Sequence, residues 1–194
     1  MSEATLARRP ALVLADLLPG TAVRDLLLVG GAAVFVGALA QISVHLPGTP
    51  VPMTGQTLGV VVAGAALGWR RAGLAMALYL AAGLAGVPWF SGHASGYAGA
   101  SFGYVLGFIP AAAMCGYLAQ RQADRSVLRA LPAMVTGGIV IYAFGLAWLA
   151  ADLHLGASAA IRAGLVPFLA GDAIKTVLAA LLLPGAWRLA GHRV

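Results

Sequence analysis

Long apolar stretches dominate this sequence, and only short polar breaks interrupt them. Of the 194 residues, 61% are hydrophobic and 9% are charged, and the mean hydropathy is +0.91. A water-soluble core does not need so much apolar sequence, whereas one membrane crossing needs about 20 apolar residues. We therefore predict an all-α membrane protein with a lead-in, residues 1–24, and one six-helix transmembrane domain, residues 25–194. The six predicted crossings are roughly residues 25–45, 55–69, 72–88, 99–120, 131–151 and 164–188.

The arginines predict the orientation of the chain. With six crossings, ten of them fall on one side of the membrane and only Arg162 falls on the other. Because cytoplasmic loops are enriched in Lys and Arg, both termini are predicted to be cytoplasmic. The formal net charge of +6 is then a topology signal, and the division of the arginines among four short segments argues against a nucleic-acid-binding face. The ten arginines are Arg8, Arg9, Arg24, Arg70, Arg71, Arg121, Arg125, Arg129, Arg188 and Arg193.

Asp172 and Lys175 lie inside the last apolar stretch, where a charge costs on the order of 2.5–3.5 kcal/mol. Residues three apart share a helix face, so the two side chains can pair. Pro167 is predicted to mark the first turn of their helix, where the helix dipole favours a carboxylate. Counting from Arg162 places the pair in the outer half of the membrane. The pair either locks the bundle as a self-satisfied ion pair or holds a polar ligand, and intramembrane charges favour the second interpretation.

Other catalytic and metal-binding patterns are weak or missing. The interiors of the crossings contain no further acids or histidines for a proton relay, and no nucleophile–base set, HExxH motif or Gly-rich phosphate loop occurs. The single cysteine, Cys115, excludes an internal disulfide, and His45 and His93 lack an accompanying carboxylate. We predict no enzymatic activity, no cofactor and no metal site, and expect Asp172 and Lys175 to bind a ligand that has both donors and acceptors.

The first loop on the side opposite the arginines, residues 45–57, contains three prolines within six positions. Proline fixes φ and removes a backbone donor, which predicts a stiff, extended segment. Gly55 then allows the chain to turn, and Thr54 or Thr57 can cap the next helix. This loop, outer loop 1, is either a rigid connector or a lid that presents Gln56 to a ligand.

The second outward loop, residues 86–97, follows the third crossing and is named outer loop 3. It carries no formal charge. Phe90 together with Ser91 and His93 is typical of a pocket wall with a few aimed polar groups. Trp89 could belong to such a wall or, equally well, to an aromatic belt at the membrane interface.

Small residues at four-residue spacing predict close helix contacts. Gly103 and Gly107 form such a pair in the fourth crossing, and Tyr104, which shares their face, is a candidate cavity residue. Two further strips lie in the first and third crossings and favour packing either inside the bundle or against another membrane protein. Their residues are Ala33, Gly37, Ala77 and Ala81.

Four stretches of the sequence resemble one family, the BioY proteins, which are biotin-specific S components of energy-coupling-factor (ECF) transporters. The run Pro50–Gly59 reads PVPMTGQTLG and is highly specific, and the order and spacing of the others agree. Outer loop 3 departs from the family, since Trp89 stands in its usual PVF motif and no Asn follows. The other three stretches are residues 86–90, 103–108 and 171–175.

The resemblance implies an S-component bundle of six helices in a prokaryotic cell membrane, with structured outer loops 1 and 3. It implies that biotin is captured at the outer face and delivered inward with a transmembrane coupling protein and two ATPase subunits. The strips that contain Ala33, Gly37, Ala77 and Ala81 would form the docking face. Asp172 and Lys175 match the Asp and Lys of the family; Asp172 would accept a ureido N–H of biotin, whereas Lys175 could donate either to the ureido oxygen or to the carboxylate. Tyr104, Trp89 and Phe90 would enclose the rings. Gln56 and loop backbone would meet the tail. The full set of predicted ligand residues is Asp172, Lys175, Gln56, Thr54, Trp89, Phe90, Ser91, His93 and Tyr104.

Three alternatives remain open from the sequence. The chain could be an S component for another vitamin, an intramembrane enzyme that uses Lys175 as base or nucleophile, or a structural membrane subunit without a ligand. A homo-oligomer is also compatible with the small-residue strips. Any dependence on ATP must come from partner subunits, because the chain has no nucleotide-binding motif.

Overall fold

A computed structural model describes residues 13–20, 22–97 and 99–190. Within these ranges the regular secondary structure is helical except for one two-stranded hairpin around outer loop 1 and an isolated β-bridge between Phe90 and Ala94, neither of which was predicted. The helices are α1 Ala22–Ala40, α2 Gln56–Leu67, α3 Trp69–Leu84, α4 Phe102–Gln120, α5 Val127–Asp152, α6 Ala157–Gly164 and α7 Leu169–Leu189. The strands are β1 Ser43–Val44 and β2 Met53–Thr54, which pair antiparallel.

Four helical segments of the described ranges are long and apolar enough to cross a membrane. Helix α2 is apolar but has only 12 residues, and α3 has 16, in line with the short second and third stretches of the sequence. The four segments are Ala22–Ala40, Gly99–Gln120, Val127–Asp152 and Ala157–Leu189.

Two predicted helix boundaries are wrong for identifiable reasons. Gly68 adopts a φ of 81°, which turns the chain so sharply that α3 begins at the next residue. Arg70 and Arg71 therefore belong to the first turn of α3 and not to a loop. The helix of the last crossing starts at Leu169 and not at residue 164, because a 3₁₀ turn, Val166–Phe168, that contains Pro167 separates it from α6. Helix α7 starts after this turn, and Asp172 lies in its first turn, as predicted.

Helix α2 lies at the centre of the bundle, and most of its residues are buried. Glycines bring its neighbours close: a Cβ on Gly64 would lie 2.7 Å from the carbonyl oxygen of Ala112 in α4. The predicted close contact through the fourth crossing is confirmed, since a Cβ on Gly103 would lie 2.6 Å from the carbonyl oxygen of Phe144 in α5. The bundle is therefore held by backbone approach at small residues, as is typical of membrane helices.

Polar clamps tie the helix ends opposite the outer loops. Arg71 donates to Asp16 at 2.6 Å and reaches Asp25 at 3.1 Å, so the end of the lead-in is fastened to α1 and α3. Asp124, between α4 and α5, accepts a 2.6 Å bond from the Trp187 indole of α7, and burial raises the pKa of its carboxyl group. The predictions for residues 1–12 of the lead-in and for Arg193 concern residues outside the described ranges.

Candidate functional site

A cavity of about 410 Å³ lies between the two outer loops and the helix ends beneath them. This volume is in the range of pockets that enclose small organic ligands. Its floor and walls come from α2, α4, α5 and α7, and its exposed residues, Pro50, Ala94 and Tyr97, all belong to the loops and form the rim. The lining consists of Pro50, Val51, Pro52, Met53, Thr54, Gln56, Thr57, Phe90, Ser91, Ala94, Tyr97, Gly99, Ser101, Tyr104, Val105, Phe108, Ile141, Tyr142, Phe168, Asp172 and Lys175.

Asp172, Lys175, Thr57 and Tyr142 form a polar layer in the cavity wall. Lys175 Nζ lies 2.8 Å from Asp172 Oδ1 and 3.2 Å from Thr57 Oγ1. The Tyr142 hydroxyl donates a short hydrogen bond to the other carboxylate oxygen, Asp172 Oδ2. Because the layer holds one acid and one base in contact, its net formal charge is zero. It presents both a carboxylate and an ammonium group to a ligand.

The polar layer explains how two charges persist in an apolar bundle. Both side chains are mostly buried, with 22% of Asp172 and 18% of Lys175 exposed. Asp172 gains from the N-terminal end of the α7 dipole and from donors on α2 and α5. Desolvation offsets much of the attraction in a buried ion pair, so these neutral donors matter for keeping the pair charged and oriented.

Aromatic residues surround the polar layer. Tyr104 lies over Gly145, where a Cβ would approach its ring to 2.3 Å, and its hydroxyl donates to the Gly164 carbonyl at 2.7 Å. Its ring meets that of Tyr142 edge to face, with centroids 6.1 Å apart. Phe108 and Phe168 are buried in the same wall. A ligand that enters therefore meets one polar layer framed by rings.

A partly buried chain of hydrogen bonds joins the two outer loops. The Thr54 hydroxyl of outer loop 1 donates to Gln56 Oε1 at 2.9 Å, and Gln56 Nε2 donates to the Tyr79 hydroxyl at 2.7 Å. Tyr79 in turn donates to the Trp89 carbonyl of outer loop 3 at 3.1 Å. Gln41 adds a second attachment, since its amide nitrogen donates to the Phe90 carbonyl at 3.2 Å.

Each loop also rests on a glycine. The Phe90 ring fills a notch at Gly83, where a Cβ would lie 2.2 Å from ring atom Cζ. In outer loop 1 the thioether of Met53 covers Gly171, where a Cβ would lie 2.8 Å from Sδ. Since Phe90 and Met53 both line the cavity, these two contacts fix parts of its wall.

The structure brings most of the predicted ligand residues together. Trp89 and His93 do not line the cavity: the Trp89 ring stacks on Tyr79 at 5.2 Å, and His93 is exposed and bonds Gln41 through its backbone N–H. The predicted residues that line the cavity are Asp172, Lys175, Gln56, Thr54, Phe90, Ser91 and Tyr104.

Sequence reasoning missed Thr57 and Tyr142 as partners of Asp172. Thr57 belongs to the PVPMTGQT run and was considered only as a helix cap. Tyr142 lies in an apolar crossing 30 residues before Asp172, and no local pattern marks it.

The predicted docking residues are divided between the interior and the surface. Ala33 is fully buried, and Gly37 is buried under Trp89, whose Cβ would lie 3.2 Å from an added methyl group. Both therefore serve internal packing in this structure. Ala77 is half-buried and Ala81 is exposed on α3.

Comparisons with known proteins agree with this architecture. Residues 8–192 match the model of the BioY family. The chain is 38% identical over 170 residues to the biotin transporter BioY of Rhizobium etli, covering 82% of this chain and 90% of that protein. It is 33% identical over 175 residues to the biotin transporter BioY of Rhodobacter capsulatus, with the same two coverages, 82% and 90%.

A solved structure shares the fold. The crystal structure of the S-component for biotin from an ECF-type ABC transporter matches with a TM-score of 0.78 at 24% identity, covering 86% of this chain and 92% of that chain. Together with the extent of the family match, the sequence identities decide the assignment. This chain belongs to the BioY family.

Proposed function

We propose that the chain is the biotin-binding S component of an ECF transporter, which captures biotin at the outer face of the membrane. One observation carries the proposal: a charged but net-neutral pair, Asp172 and Lys175, is held in an apolar cavity beneath two loops. A vitamin that combines apolar rings with a compact donor–acceptor group matches that lining. The names of the family relatives support biotin as that vitamin.

The chemical groups of biotin assign a role to each group of residues in the cavity. Its ureido ring has two N–H donors and one carbonyl, so Asp172 accepts a ureido N–H and Lys175 donates to the ureido oxygen. Tyr104 and Phe90 enclose the bicyclic rings. Gln56, Thr54 and Ser91 meet the tail, while Trp89 and His93 act indirectly, by supporting outer loop 3 from outside the cavity.

We also propose the topology of an S component for this chain. Helices α1, α2, α3, α4 and α5 each make one crossing, and α6 together with α7 makes the sixth. Both termini are cytoplasmic, and the membrane is that of a prokaryotic cell. A transmembrane coupling protein and two ATPase subunits supply the energy for release. The exposed face of α3 around Ala81 is the part of the predicted docking strips that is available to the coupling protein, and lipid covers the other outward faces.

The enzyme alternative is less well supported by the geometry. Lys175 Nζ lies 2.8 Å from the Asp172 carboxylate, and an amine held in this ion pair is not free to act as a nucleophile or a base. A different vitamin remains the stronger competitor. Mass spectrometry of the ligand that copurifies with the protein separates these possibilities.

Equilibrium binding of biotin to the purified protein in detergent tests the proposal. Asp172→Asn and Lys175→Met should each weaken binding at least about 30-fold, because each leaves a buried charge without its partner. Asp124→Asn is the matched control: it changes a buried carboxylate outside the cavity lining and should keep the wild-type affinity. Wild-type affinity in both site variants would show that the pair does not hold biotin.

A further inference from the structure

Among the described residues, the cavity lining contains only two formally charged side chains, Asp172 and Lys175. They lie 2.8 Å apart, so the charge of each is already balanced by the other. The remaining lining side chains are apolar, hydroxyl-bearing or, at Gln56, an amide. The cavity therefore offers no further cation to an anionic ligand group.

The rim of the cavity is unfavourable for binding a carboxylate. Tyr97 is exposed at the rim, and its hydroxyl donates a short hydrogen bond to Asp152 at the end of α5. Accepting this bond, the Asp152 carboxylate raises the pKa of the Tyr97 phenol, which stays neutral. A carboxylate beside the rim repels a second carboxylate, and an anion buried without a cation costs several kcal/mol.

These charges decide which end of the ligand enters. The polar layer is framed by buried rings of Tyr104, Phe108 and Phe168, whereas the rim is made of exposed loop residues. A ligand with a neutral donor–acceptor ring and an anionic tail is bound at lower cost when the ring occupies the layer and the tail stays at the rim in water. The negative charge of the tail then contributes little to binding.

We propose that the cavity accepts biotin compounds whose carboxyl group has been converted to an amide, such as biotinamide and N-ε-biotinyl-lysine. This inference rests on the proposed function, because it takes the ureido ring as the buried end. An amide is neutral, keeps a donor and an acceptor for the partly buried lining hydroxyls of Ser91 and Ser101, and lets the chain beyond it extend between the loops. Hydrolysis of peptide bonds in biotin-carrying proteins is the class of reaction that supplies such ligands.

Competition against labelled biotin on the purified wild-type protein tests the inference. Biotinamide and N-ε-biotinyl-lysine should bind within about tenfold of biotin, since only a solvated charge is lost. Biotin that is N-methylated on its ureido ring should bind at least about 100-fold more weakly, because the layer then faces a ligand that lacks a donor. The inference is overturned if the amides lose as much affinity as the N-methylated compound.

Repeating the competition with the Lys175→Met variant identifies which end of biotin Lys175 contacts. If Lys175 contacts the ureido oxygen, this variant weakens biotin and biotinamide by the same factor. A loss for biotin that is at least about tenfold larger than the loss for biotinamide would place Lys175 at the carboxylate and contradict the inference. Failure of the wild-type protein to bind biotin at all would instead refute the proposed function, so the two failures are distinct.

Discussion

Asp172 is the residue on which the site depends, and its environment is built from three helices. Lys175 of α7, Thr57 of α2 and Tyr142 of α5 all contact its carboxylate. A carboxylate has about four lone-pair positions, so three protein donors leave room for one ligand donor. The arrangement orients the carboxylate before a ligand arrives, which reduces the entropic cost of binding.

Tyr142→Phe should weaken biotin binding about tenfold, because the variant removes one hydrogen bond to a charged group without removing the ring. The carboxylate of Asp172 would then lose the donor that fixes Oδ2. Isothermal titration or equilibrium competition measures the effect. The matched control is Tyr117→Phe, at a partly exposed tyrosine of α4 outside the cavity lining, which should keep the wild-type affinity. Equal affinities for all three proteins would remove Tyr142 from the site.

At the level of elements, the two outer loops are attached in different ways. Outer loop 3 is held by Gln41, by Tyr79 and by the Phe90 ring in its notch at Gly83. Outer loop 1 reaches α7 through the flexible end of Met53 on Gly171. The second contact is easier to displace, since a thioether at the end of a flexible side chain can shift with little strain. Outer loop 1 is therefore the better place to alter ligand release without unfolding the protein.

Gly171→Ala should accelerate biotin dissociation about threefold to tenfold, since the added methyl group displaces Met53 from the cavity wall. The melting temperature should not fall, because alanine is the better helix former and only a side-chain end must move. Gly185→Ala, on the same helix with open space around its Cβ position, is the control. In a Met53→Ala background Gly171→Ala should have no further effect; an undiminished effect there would show that Met53 is not the mediator.

The whole molecule has two differently built ends. The outer ends of the helices carry the cavity and both loops. The opposite ends carry the clamps between Arg71 and Asp16 and between Asp124 and Trp187. Under the proposed function, a molecule with this asymmetry has to be inserted in one orientation so that the cavity faces the outside of the cell.

Cysteine labelling in intact cells tests the orientation. Ser95→Cys, in outer loop 3, should react with a membrane-impermeant maleimide added outside, whereas Ser126→Cys, between α4 and α5, should react only after permeabilisation. The native Cys115 is fully buried and serves as the unreactive internal control. The reverse pattern of labelling would place the termini outside and refute the proposed topology.

How far the sequence alone reaches differs from element to element. The fourth and fifth crossings were predicted within a few residues, because long apolar runs bounded by arginines leave little freedom. The short helix α6 was not predicted and the last crossing was started five residues early, although Pro167 was correctly placed at the beginning of the helix that carries Asp172. The hairpin of β1 and β2 was missed because its strands have only two residues each.

The sequence by itself determined the membrane class of the fold, the pairing of Asp172 with Lys175 and the unusual loop Pro50–Gly59. These features are local: they depend on composition, on a spacing of three residues along one helix and on a contiguous motif. Only the tertiary structure decided that Thr57 and Tyr142 complete the polar layer, that Trp89 lies outside the cavity and that Gly37 is an internal contact. Those outcomes depend on which faces of separate helices meet, and helix packing at small residues sets this over distances that no local pattern encodes.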